Sequence, residues 1–142
     1  MYRKILIALD NGPADKSILT HVTELATHFN SHLLLLHVAD GFAARCFDQL
    51  KLAESEEMKN DRAYLEKIAE GLRGKKLTVE TRLALGNPPT EILKMANSEH
   101  CDLIAMAGHG HRLFGDIFHG STITEVRHNT SIPILVVRGV KK

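Results

Sequence analysis

The chain has 142 residues, 44% hydrophobic and 25% charged, with 18 Lys and Arg against 17 Asp and Glu. This fits one folded domain over residues 1–142 with a sizeable core, excludes a wholly disordered chain, and argues against a nucleic-acid module, which carries a basic face. No apolar stretch approaches the ~18 residues of a membrane span, the leading apolar run is too short for a secretory segment, and Cys46 and Cys101 lack CxxC spacing, so a cytoplasmic protein without disulfides or a cysteine zinc site is expected.

The first predicted strand runs from Lys4 to Leu9 and ends Leu9-Asp10-Asn11-Gly12. Pro13 suits the first turn of a helix, where its missing N–H costs nothing. Ile18, Val22, Leu25 and Phe29 then form one apolar stripe. The next strand, His32 to Val38, holds the continuous run Leu33 to Leu36, the habit of a strand covered on both faces of a parallel sheet.

A charged helix follows from Asp48 to Leu72, with Leu65, Ile68, Ala69 and Leu72 on its inner face and Gly71 and Gly74 at its end. Its early charges (Lys51, Glu54, Glu56, Glu57, Lys59) read as a solvated surface. From Lys76 to Leu83 the residues alternate, Leu77, Val79 and Thr81 against Thr78, Glu80 and Arg82, which predicts an edge strand. Pro88-Pro89-Thr90-Glu91 opens a third helix containing Ile92, Leu93, Met95 and Ala96. A fourth strand covers Asp102 to Ala107, a fourth helix Ser121 to His128, and a last apolar strand Ile132 to Val137. Strict alternation of strand and helix predicts the α/β class: an open, doubly wound, five-stranded parallel sheet with helices on both faces.

In such sheets ligands sit beyond the carboxyl ends of the strands, where strand order reverses. The fourth connection is the unusual one. Strand-to-helix loops commonly have ~2–6 residues, yet twelve separate Ala107 from Gly120. The loop starts with Gly108 and Gly110 and finishes Gly120-Ser121-Thr122 at a helix start. Glycines allow close backbone approach, and a helix N-terminus presents free N–H groups and partial positive charge. Together they form an anion site suited to phosphate, although Ser121 alone would equally be an N-cap.

Ala107-Gly108-His109-Gly110, nine residues, then Gly120-Ser121 closely resembles the nucleotide loop of the universal stress protein family. Its pattern is Gly, two residues, Gly, nine residues, Gly, then Ser or Thr. Ile5 to Asp10, Leu36-His37-Val38, Gly86-Asn87-Pro88 and Pro133 to Arg138 extend the resemblance over essentially the whole chain. The resemblance implies a Rossmann-like, adenine-nucleotide α-hydrolase-like domain that binds ATP, ADP or AMP, with Mg²⁺ as a companion ion. It implies Asp10 on the ribose, the Val38 backbone on adenine, and Ala8 and Leu9 in the adenine wall. Met106 would line the base or ribose side. Gly110, Gly120, Ser121 and Thr122 would wrap the phosphates, with Ala107 and Gly108 also in the nucleotide site. One departure stands out: the family's first glycine is Ala107 here, whose methyl group could crowd the ribose.

His109, His111, His119 and His128 have no carboxylate or cysteine at a ligand spacing, so loop imidazoles rather than a metal site are expected. Protonated below about pH 6.5, they would favour anions. Phosphoryl transfer needs a metal-binding acid, a cation and a group that orients the nucleophile. Asp10, Arg112, Asp116 and His119 do not define such a site by spacing, and the Walker Gly-Lys-Ser/Thr ending is missing. A sensor or switch is therefore expected ahead of a dedicated catalyst, with slow ATP hydrolysis, or a chaperone-like interaction module without nucleotide, as alternatives. A phosphoacceptor receiver would show an acidic pair after the first strand, where only Asp10 stands out. The uncovered last strand, Ile132 to Arg138, together with the resemblance, predicts a homodimer.

Overall fold

A computed structural model describes residues 1–39, 56–108 and 120–138. The elements follow in the order β1 (Lys4–Leu9), α1 (Asp15–Phe29), β2 (His32–Ala39), α2 (Glu56–Arg73), β3 (Thr78–Leu85), α3 (Pro88–Ser98), β4 (Leu103–Gly108), α4 (Gly120–His128) and β5 (Ile134–Arg138). The expected helix segment before Glu56 lies outside the described residues.

All five strands are parallel, in the order β3-β2-β1-β4-β5. The chain winds outward from β1 to β2 and β3, then crosses back to β4 and β5. The direction therefore reverses between β1 and β4, where Ala8 lies opposite Met106. As expected from its alternation, β3 is an edge strand, and β5 is the other edge.

The continuous leucine run explains why both faces are covered. Successive side chains of a strand point to opposite sides. Leu33 and Leu35 enter a core with Ile18, Val22, Leu65 and Ala69 from α1 and α2. Leu34 and Leu36 enter the opposite core with Ile92, Ala96 and Val126 from α3 and α4. All four leucines are fully buried, each contributing about 1.5–3 kcal/mol of burial. A charge at Leu34 or Leu35 would strand itself in a core.

The inner stripe of α1 differs from expectation at its end. It continues from Val22 to Ala26, leaving Leu25 half-buried and Phe29 exposed, the latter edge-on to Tyr2. At the other end it reaches back to Asp15, which is buried. After α3 starts at Pro88, the preceding Gly86 holds φ at +141°, a value other residues rarely adopt, and donates its N–H to Ala39 O. Among the described residues no helix is long and apolar enough to cross a membrane.

Candidate functional site

The carboxyl ends of β1, β2 and β4 bring Leu9, Val38, Met106 and Ala107 to the neighbourhood of the switch point. Their side chains, with that of Ala8, are 0–1% exposed, so they belong to the cores rather than to an open surface. Ala8, Val38 and Met106 enter the α3/α4 core, whereas Leu9 and Ala107 enter the α1/α2 core. A ligand at this end would meet their main chain. The methyl group of Ala107 is taken up by the core beside Leu9 and Ala105.

Gly108 ends β4. A Cβ there would stand 2.8 Å from Val136 Cγ1 on β5, so a larger residue would have to displace that side chain. Gly110 lies outside the described residues, as do His109, His111, Arg112, Asp116, His119 and Cys46. Gly120 and Ser121 begin α4, and Thr122 in its first turn is buried. Because β4 and β5 are parallel, α4 must run back from the carboxyl end of the sheet towards its amino end. Its N-terminus, with no acidic residue in the first turn, thus opens on the carboxyl side. That leaves helix N–H groups facing the region where β1 and β4 end.

The turn after β1 carries a polar cluster that the sequence reading did not find. Asn11 adopts φ of +58°, a left-handed conformation that Asn tolerates. The chain then folds back, with Asp15 N–H donating to Gly12 O at 3.1 Å. In return Asp15 accepts the Asp10 N–H at 3.1 Å on Oδ1, and the Gly12 N–H at 3.3 Å and the Tyr64 hydroxyl at 3.1 Å on Oδ2. The Asp10 carboxyl folds over the same turn, its Oδ1 3.2 Å from where a Cβ on Gly12 would stand. Burial first, then the charge of Asp10, pushes the Asp15 carboxyl up to about 7. Burial and the charge of Asp15 hold the Tyr64 phenol well above its usual range.

A second set of contacts flanks this turn. Asn11 Nδ2 donates to Asp61 Oδ1 at 2.8 Å, and Asp61 Oδ2 lies 3.4 Å from His37 Nε2. His37 Nδ1 is 2.9 Å from Leu9 O, which assigns the proton to Nδ1 in the neutral ring. The acidic pair missing after the first strand is thus supplied by Asp10 and Asp15, five positions apart. Asp61 and Tyr64 come from the charged helix, between its early charges and the inner face that begins at Leu65.

Two further features lie apart from this cluster. An open groove of about 1460 Å³ runs along the outer side of α1, past Lys16, Thr20 and Ile68. It meets the cluster only at Gly12, Pro13 and Tyr64, and does not include Val38 or Met106. Cys101 is buried, and burial pushes its thiol up to about 11, which leaves it unreactive. Among the described residues no group of three His, Cys, Asp or Glu is placed to hold a metal ion.

An all-parallel, doubly wound five-stranded sheet with the Asp10–Asp15 cluster and a helix N-terminus at its carboxyl end defines a protein of the open α/β class. Within that class, residues 1–138 match the universal stress protein family, and the chain belongs to it. It is 29% identical to universal stress protein MJ0577 of Methanocaldococcus jannaschii, the match covering 97% of this chain and 96% of that protein. The solved structure of MJ0577 superposes with a TM-score of 0.78 at 28% identity, over 100% of this chain and 99% of that one. A universal stress protein from Archaeoglobus fulgidus, solved in complex with dAMP, shares the fold at 17% identity and a TM-score of 0.70, over 96% and 98% of the two chains. Another, solved in complex with cAMP, does so at 15% identity and a TM-score of 0.67, over 96% and 97%.

Proposed function

We propose that this protein is a single-domain, cytoplasmic stress-response module that binds an adenine nucleotide and acts as a sensor or switch. The observation that carries the reading is the placement, at the carboxyl end of the sheet where β1 and β4 reverse its winding, of Asp10, the last residues of β4 and the N-terminus of α4. The adenine-nucleotide complexes of two proteins with this fold support it. In this reading the main chain of Ala8, Leu9, Val38, Met106 and Ala107 borders the base and ribose. Asp10 takes a ribose hydroxyl, and Gly108, Gly110, Gly120, Ser121 and Thr122 hold the phosphates of ATP, ADP or AMP. Mg²⁺ accompanies ATP.

The residues present suit such a ligand. The first turn of α4 has no carboxylate to repel phosphate, and the Ala107 methyl sits in a core. Binding changes the shape or partner affinity of the domain, and any hydrolysis is slow. Heat denaturation of the purified protein, followed by identification of released nucleotide and calorimetric titration of the apo form with ATP and Mg²⁺, tests the reading. Gly120→Val should abolish binding by filling the phosphate approach. Undetectable binding of the unmodified protein at millimolar ATP overturns the reading.

The second strand edge favours an accompanying assembly. Val136 is 47% exposed at the middle of β5, an apolar side chain on an unpaired edge. A homodimer through Ile132 to Arg138 would cover it, and a monomer in sedimentation equilibrium at micromolar concentration would count against this. The same dimer without nucleotide would be a chaperone-like interaction module, and the ATP titration separates the two.

A further inference from the structure

Asp15 opens α1 on the same buried line as Ile18, Val22 and Ala26. A carboxylate in the first turn of a helix is normally stabilised there while facing water. This one is turned inward, 1% exposed, accepting the Asp10 N–H at 3.1 Å while the Asp10 carboxyl folds over the same turn and its charge acts on it. Two ionised carboxylates so close and so dry repel strongly, and one proton between them removes the repulsion. The cluster is also gripped from outside. Tyr64 of α2 reaches Asp15, and Asp61, one turn earlier on α2, reaches Asn11.

We propose that Asp15 is a positioning residue for Asp10: the two carboxyl groups hold one proton in common, Tyr64 ties the pair to α2, and loss of the proton loosens the turn that aims Asp10. The effect on ligand binding rests on the adenine-nucleotide reading above; the shared proton does not. Around Asp15 stand Asp10 from the turn after β1, Tyr64 and Asp61 from α2, and His37 from β2. Lys16 follows it on α1, exposed, and the strands β4 and β5 that pack on α1 add only Arg138, also exposed. Apart from Tyr64 and the two exposed cations, three acids, Asp10, Asp15 and Asp61, face the single imidazole of His37. Raising the pH therefore adds negative charge to a turn that already holds it.

The test follows aspartate carboxyl signals by carbon-13 NMR in the full chain. In the unmodified protein one carboxyl of the pair titrates near neutrality, and Asp15→Asn removes that step. Asp10 and Asp15 both titrating in the ordinary carboxylate range overturns the proposal. Tyr64→Phe deletes a donor that favours the ionised form, so the midpoint moves further up; a midpoint that stays or falls overturns the role of Tyr64. Amide exchange at Asp10 and Gly12, corrected for its intrinsic pH dependence, should rise roughly tenfold between about pH 6 and 8 as the protonated fraction falls. It should stay level in Asp15→Asn; identical profiles overturn the loosening.

ATP affinity should fall by roughly tenfold over the same range in the unmodified protein relative to Asp15→Asn, the variant correcting for titration of the ligand's own phosphates. Parallel affinity profiles overturn the positioning role even if the pair shares a proton. If ATP binds at no pH, the nucleotide reading fails, while the carboxyl titration and amide exchange still decide whether the proton holds the turn.

Discussion

At the amino ends of the strands, Lys4 Nζ lies 3.0 Å from Glu80 and 2.9 Å from Glu99, and Arg82 lies 3.7 Å from both acids. Asp102 there takes the N–H groups of Arg3 and Lys4 at 2.9 and 3.1 Å. At the carboxyl ends, Asp15 meets the carboxyl of Asp10 away from water. The two ends shift their ionisable groups in contrary senses. The hydrogen bond from Lys4 holds the Glu99 carboxyl below its usual range, and the bond to Glu99 holds the Lys4 ammonium above its own. Both shifts favour the charged forms. Burial and a like charge instead push Asp15 towards its neutral form. Opposite charges that satisfy one another near the surface need no ligand and contribute modestly. Like charges in a dry turn carry a cost, and such arrangements gather where a protein binds or reacts.

The contrast can be broken from either side. The largest effect is expected for Asp15→Ala, which deprives the Asp10 N–H, the Gly12 N–H and the Tyr64 hydroxyl of their acceptor. It should cost about 2–4 kcal/mol near pH 5, measured by urea unfolding. The loss should shrink towards pH 8, because the sign of the linkage is fixed. The folded-state carboxyl is raised from 3.8 to about 7. Its contribution is fully present below the lower value and is lost as pH rises through the upper one, at up to ~1.4 kcal/mol per pH unit. A loss of equal size at both pH values would mean that Asp15 does not change its protonation between them.

A smaller effect is expected at the other end. Asp102→Ala removes the acceptor for two amides at the start of β1 and should cost about 1 kcal/mol. Smallest is Lys4→Met, which opens the ion-pair network while keeping the buried stem. About 0.5–1 kcal/mol is expected, falling further in ~1 M salt because the partners are partly exposed. A cost for Lys4→Met that matches Asp15→Ala would erase the distinction between the two ends.

The sheet was legible because its signal is periodic and local. Leu33 to Leu36 announced a strand with two covered faces, and the alternation from Leu77 to Arg82 announced an edge. Boundaries shifted where single residues intervened. Lys76 takes φ of +67° as α2 closes, delaying β3 to Thr78. Ile132 donates to Thr130 Oγ1 and Pro133 has no N–H, so β5 begins at Ile134. The cluster around Asp15 was much harder to see, because β1, β2 and α2 supply it from distant parts of the chain. One local signal did exist. Counting back three positions from Ile18 along the buried line of α1 lands on Asp15, a carboxyl where an apolar residue belongs. The loop through Gly110 was read from spacing and family likeness, and it lies outside the described residues.

A side chain at Gly108 would press on the Cγ1 of Val136, 2.8 Å from where its Cβ would stand. The glycine that follows Ala107 is thereby tied to its neighbour on β5, whatever the loop beyond it holds. Evolution could discard the ligand and still meet the same obstacle to any larger residue at position 108. The contact is relieved most directly by a smaller residue at position 136, so the two positions should tend to change size together, as lock and key cut from one blank.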